Sequence, residues 1–144
     1  MLVEIMKKYR DPNKYDLSCS ETIVYAANEA YDLKLDEKVF RAMAPFSGGM
    51  WIEEVCGAIS GALAVLGILF TNNVAHESDY LKKLTLEFFE KFHKKLGSIN
   101  CTQLKDMHRT EDAGCNKVIY VAGEILDEII IREWKIKKDK KLHI

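Results

Sequence analysis

The stretch "VCGAISGALAVLGILF", Val55 to Phe70, constrains the fold most, because it carries no charge and only one hydroxyl. It falls short of the roughly 20 apolar residues that a membrane span requires, so it reads as a helix buried on all sides within a domain. Gly57 and Gly61 form a GxxxG pair, which in a globular protein lets a neighbouring backbone come close. Glycine costs roughly 1 kcal/mol against alanine inside a helix, so the pair needs a reason, and Cys56 stands directly before the first of them.

The rest of the chain supplies partners for that helix. Ser18 followed by Glu21 is a capping box opening a helix over Cys19 to Tyr31, with Ile23, Ala26, Ala27 and Ala30 as its inner stripe. Asp36 caps a short helix that Pro45 ends. The loop "PFSGGM" leads into the apolar helix, from about Ile52 to Phe70. Leu81, Leu84, Phe88, Phe92 and Leu96 recur at helical spacing before the stop at Gly97. Asp112 is read as the cap of the last helix, with Val118, Ala122, Ile125, Ile129 and Ile130 facing inward. The expectation is an all-α, single-domain bundle of about five helices spanning residues 1–144 around the buried glycine/alanine-rich helix. A flexible N-terminal segment and a basic C-terminal tail from about residue 135 flank it. At 144 residues, 48% of them hydrophobic, the chain can bury one core.

Charge removes several functions from consideration. With 21 Lys+Arg against 22 Asp+Glu the net charge is -1, so the chain as a whole has no electrostatic reason to bind nucleic acid or an anionic membrane. The lysines of "KIKKDKKLHI" read as a solvated end. Glu4 interrupts the only apolar patch of the N-terminus, and no secretory signal follows it, which makes the expected location cytoplasmic. No Ser-His-Asp arrangement, phosphate-binding glycine motif or paired-carboxylate signature stands out.

The four cysteines carry the chemistry. Cys19 follows the Ser18 cap, Cys56 heads the apolar helix, Cys101 follows Asn100 with Gln103 behind it, and Cys115 lies three residues after Asp112. All four therefore sit at helix beginnings, and helices that alternate in direction gather those beginnings at one end of a bundle. Helix N-termini present free N–H groups and the positive end of the dipole, which favour a thiolate and draw its pKa down toward 7. Gly48 and Gly49 allow backbone N–H groups to curl around an anion or a sulfur, and Gly57 leaves room beside Cys56, so these three are the candidate binding glycines. No CxxC is present, which removes a thioredoxin-like dithiol and a zinc knuckle.

The order Cys19, "CGAISG" at 56–61, Cys101 and Cys115 resembles the C-GCAxxG-C-C family of redox-active proteins. "FSGGM" and "CGAISGALAVLG" fit its glycine-rich loop and following helix, and "SCSETIVYAANEAYDL" fits its first helix, so the resemblance covers about Asp16 to Glu128. Ser18 stands where asparagine is more usual in the family, and the two cap equally well. The resemblance implies a redox role for Cys19, Cys56, Cys101 and Cys115, with the same four as ligands if a metal ion or iron–sulfur cluster is held. Thiol–disulfide exchange with a redox partner protein is the leading reading; metal or cluster binding and a non-catalytic helical interaction module are the alternatives. Cys19 with Cys56 and Cys101 with Cys115 are the preferred pairs among three connectivities, with Cys56 as functional centre and Cys19 as the quicker attacker. His108 is a candidate base or ligand, and Arg109 and Lys117 are candidate thiolate partners. His76 and His93 read as surface positions and Trp51 as a core anchor.

Overall fold

The structure is a computed structural model and describes residues 1–142. Among them are seven α-helices: α1 (Leu2–Tyr9), α2 (Cys19–Ala30), α3 (Glu37–Met43), α4 (Gly57–Phe70), α5 (Asp79–Leu96), α6 (Cys101–His108) and α7 (Asn116–Leu142). Short helical turns link some of them, and the described residues form no named strand, only two isolated bridges. The all-α class therefore holds, with more helices than about five. Among the described residues no helix is long and apolar enough to cross a membrane.

The expected caps at α2, α3 and α6 are present. Ser18 Oγ accepts from the Glu21 amide while the Glu21 carboxylate accepts from the Ser18 amide. Asp36 accepts from the Lys38 amide and Asn100 from that of Gln103. Gly97 takes the left-handed conformation that ends α5.

Helix α4 packs against α2, α5 and α7, which places it at the centre. Its Ala58, Ile59, Ala62, Val65 and Leu66 are wholly buried. Inward residues of the neighbours meet it: Ile23, Ala26 and Ala27 from α2, Leu84, Phe88 and Phe92 from α5, and Ala122, Ile125 and Ile129 from α7. The glycines of α4 set the approach of α2. A Cβ at Gly61 would lie 2.7 Å from Ser20 O and 3.0 Å from Ser20 Cα; one at Gly57 would lie 2.9 Å from Phe46 O and 3.4 Å from Cys19 Cβ.

Several boundaries differ from the sequence reading. The central helix starts at Gly57 rather than near Ile52, because Gly48, Gly49, Met50 and Trp51 wind in the left-handed sense, all with φ between 59° and 65°. Left-handed backbone costs roughly 1–2 kcal/mol for a residue with a Cβ, so this turn needs outside support. The Glu54 amide donates to Gly49 O at 3.0 Å, Thr102 Oγ1 to Glu53 O at 3.3 Å, and Lys105 Nζ pairs with the Glu53 carboxylate at 2.6 Å. The turn swings Trp51 into solvent, 74% exposed, so it is not a core anchor.

Asp112 does not cap α7. It lies in a turn closed by the paired backbones of Thr110 and Gly114, and the helix begins at Asn116, with Ile119 N donating to Cys115 O. Where a flexible N-terminal segment is expected, α1 docks with Leu2 and Met6 fully buried. Met6 fits against α7 at Gly123, where a Cβ would lie 2.2 Å from its Sδ. Helix α7 continues through most of the expected tail, to Leu142; His143 and Ile144 lie outside the described residues.

Candidate functional site: four thiols around one cavity

Helix starts from distant parts of the chain deliver the four cysteines to one place. Cys19 is the first residue of α2 and Cys101 the first of α6, while Cys56 and Cys115 immediately precede α4 and α7. All four line a single enclosed cavity of about 40 Å³, together with Gly48, Gly57, Leu104, Lys105 and Val118. That volume admits a water-sized guest. The thiols are free, with Cys56 and Cys101 buried and Cys19 and Cys115 partly exposed.

Backbone pairing fixes the inner two. Val55 and Asn100 form an antiparallel bridge in which the Cys56 amide donates to Ile99 O at 3.0 Å and the Cys101 amide to Glu54 O at 2.6 Å. Side chains alternate across such a pairing, so Cys56 and Cys101 share the face opposite Val55 and Asn100. Gly49 closes against this bridge, since a Cβ there would lie 2.7 Å from Glu54 N and 2.8 Å from Cys101 Cβ. Of the candidate glycines, Gly48 and Gly57 line the cavity directly and Gly49 backs Cys101.

Cys19 and Cys115 are held from the other side. The turn from Thr110 to Gly114 leads into Cys115. Arg10, at the end of α1, donates from Nε to Asn116 Oδ1 at 2.8 Å and from Nη1 to Leu17 O at 2.6 Å. It thus joins the starts of α2 and α7, next to the two cysteines.

Cys19, Cys56 and Cys101 are not the depressed thiols that helix N-termini lead one to expect. Burial pushes the Cys56 thiol up to about 12, with the neighbouring Cys19 adding to the rise and the Ala58 and Ile59 amides opposing it. Cys56 makes no capping hydrogen bond, so those amides favour its thiolate without offsetting desolvation. Burial also pushes Cys19 up to about 11, Cys115 raising it further and Arg10 opposing. Cys101 is raised by burial too, against the pull of Lys105 and, more weakly, Arg109. Desolvation of a charge outweighs the helix terminus here.

Placement divides the remaining candidates. Arg109 lies close enough to Cys101 to favour its thiolate, whereas Lys117 is exposed and lines neither the cavity nor its approach. His108 is not in the cluster: it is in α6, and its Nε2 bonds Leu96 O at 2.9 Å, closing the end of α5. His76 and His93 are exposed. Sequence reasoning missed Arg10 and Lys105. Lys105 was findable, since it follows Cys101 by four residues and so shares its helix face; Arg10 carries no local signal.

Among the described residues no group of three or more His, Cys, Asp or Glu side chains is placed to hold a metal ion. The four thiols share a cavity but, as they stand, make no ligand set for a metal ion.

Fold and cavity together define a small helical domain organised around four cysteines at helix starts. The family described as "Putative redox-active protein (C_GCAxxG_C_C)" matches residues 17–129, well over half of the chain. The chain belongs to that family. No curated protein and no solved structure matches it.

Proposed function

We propose that this chain is a cytoplasmic dithiol redox protein working by thiol–disulfide exchange with Cys19, Cys56, Cys101 and Cys115. The observation that carries the reading is that four cysteines from four separate helix starts line one cavity. Buried cysteines that merely pack have no reason to converge; exchange requires a second thiol within about 6 Å, Cα to Cα, of the first. The partly exposed Cys19 and Cys115 form the outer pair, which meets substrate, and the buried Cys56 and Cys101 form the inner pair. This departs from the pairing preferred on sequence grounds. It follows access, and Cys115 is the thiol whose charge acts most on Cys19. Raised pKa values keep Cys19, Cys56 and Cys101 protonated and unreactive toward general oxidants, so exchange depends on a substrate that reaches the outer pair.

The test is reversible oxidation. Metal-free wild type and the four single serine variants are equilibrated in dithiol/disulfide buffers and their free thiols counted. Wild type should lose and regain thiols in pairs, and Cys19→Ser and Cys115→Ser should each abolish formation of the outer disulfide while remaining folded. Four thiols that stay reduced across the whole buffer range would overturn the reading.

A further inference from the structure

Cys19 and Cys115 also line an open cleft of about 210 Å³ outside the cavity, with Arg10, Ser18, Lys105 and Arg109 around them. Among the described residues, three cations and no carboxylate line this cleft, in a chain whose net charge is -1. Lys105 is paired with Glu53. Arg10 is held by an amide oxygen and a backbone carbonyl, neither of which neutralises it. Arg109 is exposed and forms no ion pair among the described residues. Arg10 and Arg109 thus line the cleft without an ion pair, Arg10 close enough to act on Cys19 and Arg109 on Cys101 and Glu53.

We propose that the cleft binds the carboxylate arm of a small anionic disulfide and presents its sulfur–sulfur bond to Cys19 and Cys115. The inference rests on the dithiol reading above and adds the substrate class. The cleft is smaller than the 300–1,000 Å³ typical of drug-sized ligands, which suits an amino-acid-sized arm rather than a folded partner. A wider cleft of about 460 Å³ shares Lys105, Arg109 and Gly114 with it and adds Asp106 and Glu111. It gives the second half of the substrate a place, with carboxylates available to an ammonium group.

In the reaction Cys19 Sγ loses its proton and bonds the nearer sulfur as the substrate S–S bond breaks. The far half leaves as a thiolate and takes up a proton. Cys115 Sγ then displaces the near half in the same way. The protein loses two electrons and two protons in forming the Cys19–Cys115 disulfide, and the substrate gains both as two free thiols.

The test compares three disulfides on the fully reduced protein: oxidised glutathione, which is anionic, bis(2-hydroxyethyl) disulfide, which is neutral, and cystamine, which is cationic. Each rate constant is divided by that of the same disulfide with free 2-mercaptoethanol, which removes intrinsic reactivity. The normalised rates should fall from anionic to cationic by about tenfold or more at low salt, and the spread should shrink at high salt. Arg109→Gln should slow the glutathione reaction several-fold more than it slows the neutral one, while Arg109→Lys should retain the preference. Equal normalised rates in wild type, or a uniform slowing of all three by Arg109→Gln, would overturn the anionic cleft and leave the dithiol reading intact. Failure of all three to oxidise the protein would overturn both.

Discussion

Two glycines of α4 should respond to alanine in opposite directions, because one faces a backbone and the other faces space. At Gly61 an added Cβ would meet Ser20 O at 2.7 Å, Ser20 Cα at 3.0 Å and Ile23 Cβ at 3.3 Å. The first two are backbone atoms and cannot rotate away, so α2 must move as a body. Overpacking of this kind costs about 1–3 kcal/mol, against a helix-propensity gain of roughly 1 kcal/mol on replacing glycine. With a backbone contact the cost falls in the upper part of its range, giving a net loss of about 1–2 kcal/mol. At roughly 2–4 °C per kcal/mol for a chain near this size, the melting temperature drops by about 2–8 °C. Gly67 is the control: the nearest atom to its Cβ is Thr71 Oγ1 at 3.8 Å, so Gly67→Ala should gain up to about 1 kcal/mol from propensity alone. Urea unfolding of both variants beside wild type decides the matter. A stabilised Gly61→Ala would refute the close α2–α4 crossing, and with it the packing that places Cys19 against Gly57.

Four further outcomes follow from the same geometry. Because burial holds Cys19 up at about 11, its alkylation by iodoacetamide should accelerate about tenfold per pH unit from pH 7 to 10, read by mass spectrometry; a plateau below pH 8 would show an activated thiolate instead. Folding retains the Cys19 and Cys56 protons, so the stability they contribute is complete below the ordinary thiol value and is lost as pH rises through about 11 and 12. Trp51→Gly should leave stability unchanged or raise it by up to about 1 kcal/mol, since it relieves a left-handed non-glycine residue and removes a side chain already in solvent; a loss above about 2 kcal/mol in urea unfolding would mean that Trp51 packs. Glu87 is held down at about 2 by the two-pronged contact with Arg132, at 2.6 and 2.7 Å, and by Lys91. A depressed carboxylate contributes stability above its ordinary value near 4.5, lost as pH falls toward 2, so Glu87→Gln should flatten thermal stability between pH 4.5 and 2; an unchanged acid limb would refute that contribution.

What the chain reveals by itself divides along physical lines. The capping box at Ser18, the stripe from Leu84 to Leu96 and the all-round apolarity of Ala58 to Leu66 are local patterns; each became a helix, although the apolar one leaves a face at Ser60, Leu63, Ala64 and Ile68 partly open rather than buried on all sides. The position of every cysteine at a helix start was equally local, and it sufficed to suggest a common end of the bundle. The "GGMWIE" turn was not legible, because Met50, Trp51 and Ile52 look like the first turn of the apolar helix. Ties from Glu53 and Glu54 to Thr102, Lys105, Cys101 and the Gly49 carbonyl hold it in the left-handed sense. Helix α1 escaped notice because Leu2 and Met6 are a thin apolar signal, and the notch at Gly123 that receives Met6 lies far along the chain. The pKa values of Cys19, Cys56 and Cys101 went the other way from expectation for a related reason. A helix terminus can be read from a cap residue, whereas the desolvation that outweighs it is set by what the other helices bury.

The central claim, that the four cysteines form one redox unit, is tested most directly by disulfide mapping. Reduced, metal-free protein is oxidised in an equilibrating disulfide buffer, quenched in acid, alkylated and digested for mass spectrometry. The account predicts monomeric protein with intramolecular disulfides drawn only from Cys19, Cys56, Cys101 and Cys115, the Cys19–Cys115 link forming first and reversing fully on reduction. Oxidised protein linked only between chains, or one still carrying four free thiols, would contradict it.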